Sequence, residues 1–126
     1  MSKTVVYEIP SRESFYQLLH NNPGLIIMKF GAEWCKPCQK IKKQVSTFFS
    51  HAPEHVICCD LDVDTNTDVY SHLKSKRMIN GIPALLCYRK GTTDCGPDDS
   101  VSGSDPHQLE QFFKRCILYE QDCRPK

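Results

Sequence analysis

Leu25-Ile26-Ile27-Met28-Lys29-Phe30-Gly31-Ala32-Glu33-Trp34-Cys35-Lys36-Pro37-Cys38 is the stretch around which this chain organises itself. Residues 25–30 form an apolar run broken only by Lys29, the pattern of a short strand buried in the middle of a sheet. Residues 31–34 read as a loop. From about residue 35 to 50, Ile41, Val45, Phe48 and Phe49 recur at helical spacing, which predicts a long amphipathic helix. Pro37 suits the first turn of that helix, where its missing N–H is not needed. The stretch therefore predicts strand, loop and helix, with Cys35 and Cys38 at the helix start.

The flanks extend the same alternation. Residues 4–9 alternate weakly before Pro10 and read as a short strand. Ser11 caps a helix running to about residue 21, with Phe15, Leu18 and Leu19 on one face. Residues 56–63 read as a second buried strand, and residues 68–76 carry Val69, Tyr70 and Leu73 at helical spacing. Residues 84–88 read as a strand, followed by a turn at Arg89-Lys90-Gly91 and a polar loop over 92–100. A short strand near Val101 closes the hairpin. Asp105 then caps a last helix, with Pro106 at its first position and Leu109, Phe112, Phe113, Cys116 and Ile117 on its buried face. Residues 120–126 read as a polar tail.

The predicted order is β-α-β-α-β-α-β-β-α. Alternating strands and helices argue for α/β layers, with the last hairpin adding an antiparallel edge. The expected architecture is one domain spanning residues 1–126, with its core over about 5–119. About five strands form a central mixed sheet, and about four helices flank both faces. At 126 residues the chain is long enough for a real core.

A net charge of +1 advertises neither nucleic acid nor a membrane surface. The lysines at 36, 40, 42 and 43 are read as a solvated helix face. No stretch approaches the roughly 18 apolar residues of a membrane span. The N-terminus lacks the apolar run and cleavage site of a secretory leader, so a cytoplasmic location is expected.

The chemistry lies in the cysteines. A disulfide exchanger needs an attacking thiolate and a resolving thiol close behind it. A cysteine at a helix N-terminus meets unpaired N–H groups and the positive end of the helix dipole, and both lower its pKa. Cys35 is therefore the expected nucleophile. Cys38, one turn on, is the expected resolving thiol. Two thiols hold the electrons themselves, so no cofactor is expected. Neither Cys58-Cys59 nor the scattered histidines supply the second ligand pair that a structural zinc site wants, so no metal is expected.

Phe30 to Cys38, together with Asp62-Val63-Asp64 and Asn80-Gly81-Ile82-Pro83-Ala84, resembles the thioredoxin family. The resemblance runs from about residue 5 to 117. It implies the thioredoxin fold and dithiol–disulfide exchange on protein substrates. It also implies recycling by a separate reductant such as a thioredoxin reductase; from the charge balance and the lack of an apolar span, no nucleic acid or membrane partner is expected. It implies a cis Ile82–Pro83 bond facing Cys35. The Ile82 backbone would then pair with an extended substrate peptide, beside an apolar wall formed by Trp34. Lys36 and Pro37 complete the expected substrate-contacting set.

Departures from the family pattern matter as much as the matches. Where thioredoxins usually bury an aspartate on the central strand, this chain has Lys29; where many have a lysine on the neighbouring strand, it has Asp60. The pair reads as charge-swapped, and an ion pair between the two is expected. A cation there favours thiolate and makes the couple more oxidising. The alternative is a Lys29 that snorkels to water with no redox role. Lys43 replaces a customary helix-kinking proline, which predicts a straighter helix. Lys36 stands where glycine is usual.

Of the other cysteines, Cys58, Cys59, Cys87 and Cys116 are expected in the core, with Cys58 and Cys59 on opposite sheet faces. Cys95 and Cys123 fall in polar segments at the end of the sheet opposite the active site. That leaves a Cys95–Cys123 disulfide open as an alternative to two thiols. Three other functional classes stay open beside the disulfide reductase: a protein disulfide oxidase or isomerase, a glutaredoxin, and a non-catalytic module on the same scaffold.

Overall fold

The computed structural model describes residues 4–123. Its elements are β1 (Val5–Val6), α1 (Arg12–His20), β2 (Leu25–Gly31), α2 (Lys36–Ser50), β3 (Val56–Asp62), α3 (Thr67–Ser75), β4 (Ala84–Arg89), β5 (Asp99–Ser102) and α4 (Pro106–Cys123). The sheet order is β1-β3-β2-β4-β5. β1, β3 and β2 run parallel, while β4 and β5 are antiparallel to their neighbours. This is the thioredoxin fold expected from the sequence.

β2 sits at the centre, and every one of its seven residues is buried. The period-2 alternation of a strand divides its side chains between two cores. Ile26, Met28 and Phe30 join Cys59, Leu61, Leu86 and Tyr88 beneath α1 and α3. Leu25 and Ile27 join Cys58, Leu85 and Cys87 beneath α2 and α4. Each large apolar side chain so buried stabilises the fold by about 1.5–3 kcal/mol. Cys58 and Cys59 do face opposite sides. Lys29 shares the parity of Leu25 and Ile27, so it points towards α2.

Local chemistry sets the ends of the elements. The Ser14 N–H donates to the Ser11 hydroxyl oxygen at 3.1 Å, capping α1. Asp105 Oδ1 accepts from the His107 N–H at 2.9 Å and opens α4. α2 runs unbroken for 15 residues through Lys43. α3 closes in a Schellman arrangement: the Met78 N–H donates to the Leu73 carbonyl and the Arg77 N–H to the Lys74 carbonyl. Arg77 takes the left-handed position of that motif, φ +63°, where glycine is usual.

Two expectations need correction. The first strand covers two residues, not six. Beyond it, the Asn66 side chain takes over the backbone: the Ile9 N–H donates to Asn66 Oδ1 at 2.8 Å, and Asn66 Nδ2 donates to the Tyr7 carbonyl at 3.2 Å. The segment from residue 120 is not a polar tail as far as Cys123. α4 continues through it, and Glu120 is 0% exposed. Residues 124–126 of that expected tail lie outside the described residues. Of the two alternatives left open for Cys95 and Cys123, the structure shows two thiols, not bonded to each other. Cys95 packs on the α1–α3 side of the sheet. Cys123 ends α4 on the other side, its Sγ donating to the Gly24 carbonyl at 3.3 Å. The sheet lies between the two thiols.

Candidate active site

The parallel strands β2 and β3 end at the same edge of the sheet, and the connections that follow them build the site there. The chain leaves β2 at Gly31, turns through Ala32–Trp34 and enters α2. Cys35 is the N-cap of α2 in extended conformation, and the Cys38 N–H donates to its Sγ at 3.3 Å. A sulfur in this position accepts a bond that an N-cap side chain normally accepts. The same contact, with the dipole behind it, stabilises a thiolate. Cys35 and Cys38 form a disulfide, with their Cα atoms 5.2 Å apart. Both are nearly buried, and Trp34 beside them is 68% exposed.

The opposite wall comes from the connection between α3 and β4. The Ile82–Pro83 peptide bond is cis. The Ile82 carbonyl oxygen lies 3.9 Å from Cys35 Sγ. Pro83 is buried and its carbonyl accepts from the Gly103 N–H, which ties the wall to the sheet edge. Ile82 is half-buried, and Lys36 and Pro37 stand exposed at the head of α2. The structure thus brings Trp34, Cys35, Lys36, Pro37, Cys38, Ile82 and Pro83 to one rim.

Lys29 and Asp60 lie behind this rim. They are register partners across the β2–β3 ladder. Lys29 Nζ is 3.4 Å from Asp60 Oδ1, with the lysine side chain 8% exposed and the aspartate 37%. An ideal Cβ on Gly31 would sit 3.3 Å from Cys38 Sγ and 3.4 Å from Lys29 Cε. The absence of that Cβ lets the lysine stem and the second sulfur share one hollow. A cleft of about 160 Å³ opens onto this hollow, lined by Tyr7, Lys29, Cys38, Gln39, Lys42 and Asp60.

Two supporting side chains escaped the sequence reading. Trp34 Nε1 donates to Asp64 Oδ2 at 2.8 Å, which fixes the indole over the site. Asp64 stands in the Asp62-Val63-Asp64 segment, but nothing in that segment names its partner. Gln39 Nε2 donates to the carbonyls of Ala32 and Glu33 at 3.4 and 3.2 Å, bracing the loop before the cysteines.

Elsewhere in the fold, burial pushes the Cys59 thiol well above the ordinary range, and a hydrogen bond with Cys87, together with burial, does the same for Cys116. Both favour the protonated thiol over the thiolate.

Comparison with known proteins agrees with this geometry. Residues 6–115 match the Thioredoxin family profile. The chain is 31% identical to horse thioredoxin over 118 residues, covering 90% of this chain and 100% of that one. It is 25% identical to Thioredoxin 3 of Plasmodium falciparum over 119 residues, covering 94% of this chain but only 63% of that protein's length. Among solved structures, the thioredoxin of Trypanosoma brucei brucei superposes with a TM-score of 0.70 at 25% identity, covering 94% and 95% of the two chains. The chain belongs to the thioredoxin family of disulfide oxidoreductases.

Proposed function

We propose that the protein exchanges disulfides in protein substrates, with Cys35 as nucleophile and Cys38 as resolving thiol. The observation that carries this reading is the cysteine pair at the N-terminus of α2, with its first sulfur facing the Ile82–Pro83 wall. In the reduced protein, the Cys35 thiolate attacks one sulfur of the substrate disulfide. That bond breaks, one substrate thiolate leaves, and a mixed disulfide forms. Cys38 then loses its proton and attacks Cys35 Sγ, releasing the second substrate thiol and closing the Cys35–Cys38 disulfide. Two electrons pass to the substrate. Trp34, Lys36, Pro37, Ile82 and Pro83 contact the substrate chain, with the Ile82 backbone pairing against an extended segment.

Lys29 and Asp60 act as positioning residues. The lysine cation behind Cys38 favours the thiolate, and the carboxylate holds it in place. This supports an oxidising poise and makes disulfide oxidation or isomerisation the second reading. A separate reductant, a thioredoxin reductase by family analogy, recycles the pair.

Reduction of insulin disulfides with dithiothreitol tests the proposal. The wild type accelerates it and Cys35→Ser does not. Pre-reduced Cys38→Ser, mixed with insulin after dithiothreitol is removed, accumulates a covalent mixed disulfide visible by mass spectrometry. Equal rates for wild type and Cys35→Ser leave the scaffold reading in place of the enzyme.

A further inference from the structure

α2 carries Lys36, Lys40, Lys42 and Lys43 and no acidic residue. Lys36, Lys40 and Lys43 are all exposed, at spacings of four and three residues, so they form one ridge. The ridge lies opposite the buried face of Cys38, Ile41, Val45 and Phe49. It starts between the two cysteines of the active site. Among the described residues, the ion pairs engage Arg12, Lys29, Arg89, Lys114 and Arg115, and none of the ridge lysines.

This placement works against the helix itself. Cations in the first two turns oppose the helix dipole, and neighbours three and four apart repel one another. A helix face that only needs solvation gains from glutamates in these positions, and this one has none. On the other side of the cysteine pair the sign reverses. Glu33 is exposed, and Asp64 holds Trp34. The charges next to the cysteine pair are thus of both signs: carboxylates at Glu33 and Asp64 beside Trp34, and lysines along α2.

We propose that the Lys36–Lys40–Lys43 ridge selects protein disulfides flanked by acidic side chains. The inference rests on the disulfide-exchange reading above and names its substrate class. A partner whose acidic residues lie on the α2 side is drawn in and oriented by complementary charge. A basic partner meets repulsion at the mouth of the site. Exposed charges act over about 10 Å at moderate salt, which brings the head of the ridge at Lys36 and Lys40 within range of a chain lying across Cys35 and Ile82, with Lys43 adding to it at low salt.

The test uses three synthetic disulfide peptides that differ only in their flanking residues: glutamates, lysines or glutamines. At low ionic strength the reduced protein should reduce the glutamate peptide about tenfold faster than the lysine peptide, through kcat/KM. High salt should collapse the difference. Lys40→Glu combined with Lys43→Glu should reverse the preference and leave the glutamine peptide's rate unchanged. Equal rates for all three peptides, or an acid preference that survives the double substitution, overturn this proposal alone. Failure to reduce any of the three overturns the disulfide-exchange reading and this proposal with it.

Discussion

Lys29 Nζ stands 3.4 Å from Asp60 Oδ1, and the two residues face each other directly across the β2–β3 ladder. The pair is lopsided. The lysine is nearly enclosed beneath α2, whereas the aspartate keeps more than a third of its side-chain surface in water. Losing one partner therefore differs from losing the other.

Asp60→Asn leaves a nearly buried cation without its counter-charge, and should destabilise the protein by about 2–3 kcal/mol, below the full cost of breaking a closed pair. Lys29→Met removes the buried charge and leaves a carboxylate that water still reaches. Its cost should stay within about 1 kcal/mol. Urea unfolding of both variants measures the asymmetry, and equal losses would contradict it.

The same cation stands beside the second sulfur of the active site. Stabilising thiolate stabilises the reduced form, which raises the potential above the roughly −270 mV of a typical thioredoxin. Lys29→Met should lower it again, by on the order of 30 mV. Equilibration with glutathione or a reference dithiol measures both. A wild-type potential at or below the typical value would exclude the role given to Lys29.

Arg77 occupies the left-handed C′ position of the α3 cap with φ +63°. A side chain there costs about 1 kcal/mol relative to glycine. Arg77→Gly should therefore raise the urea midpoint, although it deletes a charged residue. The loop it enters leads to Ile82–Pro83, so insulin reduction by the variant checks that the site is undisturbed.

Asp99 contributes to the acid limb of stability. Burial pushes its carboxyl up, but hydrogen bonds from Arg115 and Tyr119 outweigh burial and hold it below the usual range. Arg115 Nε donates at 2.7 Å, and the Tyr119 hydroxyl donates at 2.7 Å. A folded-state value below the unfolded one gives stability that is present above the unfolded pKa of about 3.9. That stability is lost as pH falls through the depressed folded value. Asp99→Asn should cost about 1–2 kcal/mol at neutral pH and flatten the acid limb below about pH 5. Asp68, held low by its hydrogen bonds to Arg12, titrates the same way but is more exposed, so its substitution should matter less.

Much of this was legible in the chain itself. The apolar run of β2, the helical spacing of α2 and α4, and the punctuation at Ser11 and Asp105 are local signals, and local energetics decide them. Departure from the family pattern singled out Lys29 and Asp60 in the sequence, and the β2–β3 register makes them neighbours. Cys35 and Cys38 are read from spacing, because a helix start supplies the chemistry that a nucleophilic thiol needs. The sequence by itself thus determined the elements, their order, the reacting pair and the family.

Only the tertiary structure decided which distant groups meet. Asp64 reaches the Trp34 indole, and the Asn66 side chain takes the backbone of residues 7–9 away from the sheet. Cys95 and Cys123 stand on opposite faces although both lie in polar segments. Glu120 is enclosed within a helix whose polar sequence reads as a tail. The physical reason is common to all four. A side chain's long-range partner depends on how layers stack and which face a loop crosses, and no short stretch of sequence records either.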